Sequence, residues 1–115
     1  MAYVDGFVLA VPTKNKETYL KLAKTMAVLF KEWGAIKVVE NWGEDVPEGK
    51  VTSFPMAVKR TPDETVVFSW ITWPSKAVRD AANKKMMADP RMEKMEMPFD
   101  GQRMIMGGFE TILDE

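Results

Sequence analysis

Three charged residues that interrupt or border apolar strands are the first candidates for chemistry in this chain. Asp5 breaks a row of bulky side chains, Glu40 lies in an otherwise apolar row, and Arg103 begins the last predicted strand. If they converge, Arg103 could pair with a carboxylate and with an anionic ligand, and a desolvated carboxylate could gain the raised pKa of a general base. Ion pairs between strand ends explain the same residues, and we favour that structural interpretation.

The four tryptophans are the second candidate group. Aromatic rings with a few polar groups nearby suit flat organic ligands, and Trp42 and Trp70 are the tryptophans that we predict in such a wall. Tryptophans near the ends of elements, as Trp33 and Trp73 also are, more often belong to the core or to an interface. We favour the core and interface interpretation while keeping the ligand wall as an alternative.

Methionine is concentrated in one part of the chain, where seven of the ten methionines lie between Met86 and Met106. Thioethers bind Cu(I), and they also line adaptable apolar grooves. The chain has no cysteine and no histidine, which removes disulfides, thiolate nucleophiles, most zinc sites and the usual haem ligand. We therefore predict pliable packing, with no metal and no cofactor.

Composition and charge restrict the class of protein. The 115 residues are 46% hydrophobic and 29% charged, which is typical of one globular domain over residues 1–115. A formal net charge of −1 gives no field for holding a phosphate backbone, so nucleic acid is not an expected partner. No stretch approaches the roughly 18 apolar residues of a membrane span, and no signal peptide is visible. We expect a cytoplasmic protein without a membrane partner.

The chain is organised around residues 65–73, whose β-branched and aromatic side chains on both faces predict a strand that needs cover on both sides. Thr13 is the predicted N-cap of the first helix, which Gly34 ends, and Ser75 is the predicted N-cap of the second. The polar segment 44–64, which we call the mid-chain segment, contains a short apolar piece, 54–58, that could be an edge strand. Gly107 and Gly108 predict a bulge in the last strand. The predicted order is strand 3–11, helix 13–33, strand 35–43, strand 65–73, helix 75–88 and strand 103–113.

This order predicts an α+β fold of the ferredoxin-like βαββαβ type, with both helices on one face of a four-stranded antiparallel sheet. The other face would expose more apolar surface than a monomer normally does, so we expect a homodimer formed through the sheet faces. Such an interface should bury roughly 1,600 Å² or more. The alternative is that the mid-chain segment or the methionine-rich linker covers the sheet within one subunit.

Several sequence blocks have a pattern known from other proteins. They include Tyr3-Val4-Asp5-Gly6-Phe7-Val8, Trp42-Gly43-Glu44-Asp45-Val46-Pro47, Phe68-Ser69-Trp70 and Pro98-Phe99-Asp100-Gly101. These blocks resemble the uncharacterised bacterial YbaA-like family, and the resemblance spans nearly the whole chain. It implies a dimeric α+β barrel, a superfamily that includes cofactor-free monooxygenases, haem-degrading enzymes and stress-related binders of small molecules. The family has no established activity, so the resemblance assigns no catalytic residue.

Three functions follow as hypotheses. The first is a homodimeric protein that binds a small apolar or aromatic molecule between sheet and helices. The second is an enzyme similar to the cofactor-free monooxygenases, which rests on analogy of fold alone. The third is a stress-related interaction protein without a small-molecule ligand.

Overall fold

The computed structural model describes residues 2–115 and contains one four-stranded sheet. The strand order is β2-β3-β1-β4, and every neighbouring pair is antiparallel. The fold is therefore α+β, as predicted, and residues 65–73 do lie in a central strand. The strands are β1 (Tyr3–Pro12), β2 (Lys37–Trp42), β3 (Glu64–Trp73) and β4 (Ile105–Glu110), and the helices are α1 (Lys16–Glu32), α2 (Phe54–Ala57) and α3 (Lys76–Ala88).

The boundaries of the two long helices follow from local chemistry. Gly34 ends α1 with a φ of 112°, a left-handed conformation that glycine adopts without strain. Ser75 caps α3 as predicted, because its hydroxyl accepts a hydrogen bond from the backbone N–H of Val78 at 3.2 Å. Thr13 does not cap α1. It belongs to a 3₁₀ turn, Thr13–Asn15, and its hydroxyl bonds that of Thr65 at 2.7 Å, which ties the turn to β3.

The two faces of the sheet carry different layers. The face with the odd-numbered residues of β1 and β3 packs against α1 and α3, around buried residues such as Leu29, Ile71 and Trp73. At one end of the opposite face, the fully buried Val58 packs with Val8 and other strand residues. The mid-chain segment thus covers part of the second face.

Residues 54–58 do not form the edge strand that their apolar side chains suggested. Phe54–Ala57 is a single helical turn, with Ser53 accepting a hydrogen bond from the N–H of Met56 and Pro55 in the first turn. A proline has no N–H to donate to a ladder but fits the first turn of a helix, so the local chemistry favours the helix.

The last strand also differs from its prediction. Its register with β1 is continuous from Tyr3 opposite Glu110 to Val8 opposite Ile105, so Gly107 and Gly108 form no bulge. A Cβ at position 108 would overlap the Tyr3 hydroxyl and the Arg79 guanidinium. The glycine there makes room for side chains rather than bending the strand.

Three 3₁₀ turns complete the chain: Thr13–Asn15, Pro90–Lys94 and Gly101–Arg103. The last two lie in the methionine-rich stretch between α3 and β4, and we call residues 89–104 the covering segment. No helix within residues 2–115 combines the length and the apolar character that a membrane span requires.

Candidate ligand-binding cavity

A cavity of about 300 Å³ lies between the helix-covered face of the sheet, α1, α3 and the covering segment. Its wall is overwhelmingly apolar, with aromatic rings from sheet, helix and covering segment. Six methionines contribute flexible side chains, and three of them come from the covering segment. The methionines in the wall are Met26, Met86, Met92, Met97, Met104 and Met106.

Sheet register explains how two carboxylates come to face this cavity. Asp5 pairs with Ile71 across β1 and β3, and Glu40 pairs with Ser69 across β2 and β3. All four residues line the cavity. Because β3 lies between β1 and β2, the Cα atoms of Asp5 and Glu40 should be about 12 Å apart, from strand spacing and rise. The two carboxylates therefore lie at separate positions in the same cavity wall.

Asp5 is buried and held by two partners. Its Oδ2 accepts a hydrogen bond from Nε1 of Trp73 at 3.0 Å, and its Oδ1 lies 3.6 Å from Nε of Arg79. Burial raises the pKa of Asp5, while the Trp73 hydrogen bond and the Arg79 charge act in the opposite direction. Arg79 also donates to the Tyr3 hydroxyl at 2.7 Å. This arrangement fixes the carboxylate in place.

Glu40 has a different environment, on the edge strand β2 and partly open to solvent. Its Oε1 accepts a hydrogen bond from the Tyr19 hydroxyl at 2.6 Å. Desolvation by the surrounding protein raises the pKa of Glu40, and the Tyr19 hydrogen bond opposes that shift. Burial and the neighbouring carboxylate raise the pKa of Tyr19, so its phenol stays protonated and acts as a donor. Glu40 thus stands at the solvent-facing edge of the cavity.

Arg103 does not join Asp5 and Glu40. It lies in the 3₁₀ turn before β4 and donates hydrogen bonds to Glu64 from Nη1 and Nη2, at 2.8 and 2.6 Å. It also donates to the carbonyl of Lys59 and pairs with Asp100. The Arg103 guanidinium lowers the pKa of Glu64 to about 2. The hypothetical three-way convergence is absent, and Arg103 has the structural ion pair that was the favoured alternative.

The two tryptophans predicted for a ligand wall lie elsewhere. Trp42 is on the helix-covered face, where it packs with a core cluster next to the cavity and has the Nζ of Lys16 5.4 Å from its ring centroid. Trp70 is on the opposite face, with its ring 5.4 Å from that of Phe68. The tryptophan that does line the cavity is Trp73.

Sequence reasoning also missed Tyr19 and the covering segment as parts of the site. The covering segment is attached by an Asn15 to Pro98 hydrogen bond of 3.0 Å and an Arg91 to Glu32 ion pair of 2.7 Å. The methionine concentration was the available signal, because it predicted pliable packing. Residues 2–115 contain no group of three or more acidic, cysteine or histidine side chains placed to hold a metal ion.

Fold and site together define a class: an α+β protein with an apolar cavity, between sheet and helices, that carries two carboxylates. A family model described as "Protein of unknown function (DUF1428)" matches residues 2–101, and the chain belongs to that family. The chain is 62% identical to the "Uncharacterized protein YbaA" of Escherichia coli K12 over 117 residues, covering all of both chains. Proteins of the same name from Escherichia coli O157:H7 and Shigella flexneri match equally well. The family resemblance seen in the sequence is confirmed.

Proposed function

We propose that this protein binds a small apolar or aromatic molecule in the cavity between sheet and helices. The observation that carries the proposal is the cavity itself, with a volume of about 300 Å³ and a wall in which apolar side chains surround a few polar groups. Pockets for small organic ligands have this composition and begin at about this size. The pliable methionines suit a ligand whose shape the wall must accommodate.

Ligand-dependent thermal unfolding tests this function, because a molecule that binds only the folded state raises its apparent stability. We expect neutral aromatic probes such as indole and naphthalene to raise the melting temperature in a saturable way. Ala23→Leu, which adds volume inside the cavity wall, should weaken the shift. Ala27→Leu on the same helix, outside that wall, is the matched control. Failure of every aromatic probe to bind would overturn the function.

The homodimer expected from the sequence remains part of this proposal, as a ferredoxin-like dimeric α+β barrel. The central position of β1 and β3 supports it, and so does the apolar surface that the mid-chain segment leaves uncovered on the second face. Phe68, Ile105 and Phe109 are 44%, 46% and 61% exposed on that face. The single domain over residues 1–115 and the cytoplasmic location also stay predictions.

Sedimentation equilibrium tests the dimer, with an expected mass of twice the 13.1 kDa of one chain. Phe109→Glu should shift the equilibrium to monomer, because it introduces a charge into the proposed interface. Met87→Glu, at a position of α3 that is 87% exposed, is the control and should leave the mass unchanged. A wild-type protein that sediments as a monomer at all concentrations would exclude the assembly.

A cofactor-free monooxygenase-like reaction is the second candidate, and one observation favours it. The raised pKa of Glu40 beside an apolar cavity is what a general base for a phenolic hydroxyl would need. Oxygen uptake with quinol-type substrates separates the two functions. Oxygen uptake that Glu40→Gln abolishes would support the enzyme. No uptake across a panel of quinols would exclude this reaction, and ligand binding would then be the function that we propose.

A further inference from the structure

The charged side chains that line the cavity are both acidic. They are Asp5 and Glu40, and no lysine or arginine within residues 2–115 belongs to the wall. Arg79 compensates Asp5 from outside the wall, at 3.6 Å. An anionic ligand would therefore meet like charge in this cavity, while a cationic one would not.

Of the two carboxylates in the cavity wall, Glu40 is the one that forms no ion pair within residues 2–115. Its hydrogen bond comes from the neutral hydroxyl of Tyr19, and the ion pairs formed within residues 2–115 do not include it. Glu40 lies on the edge strand β2, lines the cavity and is exposed to solvent. A ligand can therefore approach this carboxylate with a donor group that the protein does not supply.

The rest of the wall suits an organic cation. The rings of Tyr19, Phe99 and other aromatic residues line the cavity, and aromatic faces attract ammonium groups. Trp73 and Phe30 pack edge to face, with centroids 6.3 Å apart, and give the interior an apolar surface for a hydrocarbon body. A molecule with a cationic end and an apolar body would match both parts of the cavity.

We propose that the cavity binds a protonated amine attached to an aromatic or aliphatic body, with the ammonium group on Glu40 and the body among the rings and methionines. This inference rests on the proposed binding function and names its ligand class. Asp5 is not assigned to the ammonium group, since its carboxylate already accepts a hydrogen bond from Trp73 and lies beside Arg79.

Three probes that differ at one end test the ligand class by titration calorimetry at neutral pH: 2-phenylethylamine, 2-phenylethanol and 3-phenylpropionate. Charge-assisted hydrogen bonds are about twice as strong as neutral ones, so we expect the amine to bind about tenfold more tightly than the alcohol. The carboxylate should bind most weakly. Lowering the pH should reduce the preference of the wild-type protein for the amine, because protonation removes the charge of Glu40.

Glu40→Gln should bring the amine to within about twofold of the alcohol, while alcohol binding is unchanged. Glu17→Gln, which removes an exposed carboxylate from α1, is the matched control and should keep the preference. The wild-type pH series needs no substitution and remains informative if a variant folds poorly.

The possible failures are distinguishable. If the alcohol binds and the amine binds no better, the amine inference is wrong and the binding function stands. If the amine is preferred but Glu40→Gln keeps that preference, the assignment to Glu40 is wrong. If none of the three probes binds, and neutral aromatic probes also fail, the proposed function is wrong.

Discussion

Glu64 and Glu40 are two glutamates in contrasting electrostatic environments. Glu64 is buried at the start of β3 and receives two guanidinium hydrogen bonds from Arg103. Glu40 is on an edge strand, and its partner is the uncharged Tyr19. The pKa of Glu64 falls to about 2 because of Arg103, whereas desolvation raises the pKa of Glu40. Arg103 thus neutralises the charge of Glu64, whereas the charge of Glu40 is available for binding a ligand.

The difference separates a carboxylate that holds the structure together from one that can recognise a ligand. Arg103 connects Glu64 to the carbonyl of Lys59 and to Asp100, so it joins β3, the mid-chain segment and the covering segment. The Glu40 side chain connects β2 to α1 through Tyr19. Removing Arg103 should mainly reduce stability, whereas removing the carboxylate of Glu40 should mainly reduce ligand binding.

The largest expected effect comes from Arg103→Met. Removing the guanidinium leaves Glu64 buried without its counter-charge, which should cost about 3 kcal/mol of unfolding free energy. Urea denaturation at neutral pH measures the loss. Lys76→Met is the control, because it breaks an exposed ion pair with Asp80 on α3 and should cost far less than Arg103→Met. Equal losses in both variants would contradict the assigned role of Glu64.

The same pair predicts how stability depends on pH. Glu64 has a lowered pKa in the folded protein, so its contribution is present above the model value of 4.5 and is lost as the pH falls from there toward about 2. The wild-type protein should therefore lose stability more steeply over that range than Arg103→Met. Parallel pH profiles for the two proteins would count against the ion pair.

A smaller effect is expected from Tyr19→Phe. The substitution removes the hydroxyl that donates to Glu40, at a residue that is 8% exposed, and should cost about 1 kcal/mol. The Tyr19 hydrogen bond lowers the pKa of Glu40, so its loss should raise that pKa further. Urea denaturation and a carboxyl-detected NMR titration report the two results. A Glu40 titration unchanged by the substitution would show that the hydrogen bond does not form.

Much of the fold could be predicted from sequence because its signals are local. The β-branched and aromatic residues of 65–73, the serine cap at Ser75 and the glycine stop at Gly34 each act over a few residues. The strand predicted at 54–58 was wrong because it followed the apolar side chains and not Pro55, which favours the first turn of a helix. The bulge predicted at Gly107 and Gly108 was wrong because Gly108 instead makes room for the Tyr3 and Arg79 side chains, which come from distant parts of the chain.

The site was harder to predict because it depends on pairing between distant segments. Asp5 and Glu40 could be singled out as charges in apolar rows, and both line the cavity. The partner of Arg103 could not be identified, since nothing local distinguishes Glu64 from the other acidic residues. Tyr19 was equally hidden, because an aromatic residue on the apolar face of a helix has the pattern of an ordinary core residue.

The smallest expected effect on stability is that of Glu40→Gln, which should change the unfolding free energy by less than about 0.5 kcal/mol at neutral pH. The informative measurement on this variant is the pH dependence of its stability. A raised folded pKa means that the Glu40 contribution is fully present below the model value of 4.5 and is lost as the pH rises through the folded pKa. Glutamine does not titrate, so this part of the decline should disappear.

Asp5 also has a raised pKa, from a model value of 3.8, so a smaller decline on raising the pH should remain in Glu40→Gln. Subtracting the variant's stability profile from that of the wild type isolates the Glu40 contribution, and direct titration of the Glu40 carboxyl gives the same pKa independently. A difference profile that instead rises with pH would mean that Glu40 is stabilised as an anion, as Glu64 is. In that case the contrast between a compensated and an available carboxylate would not hold.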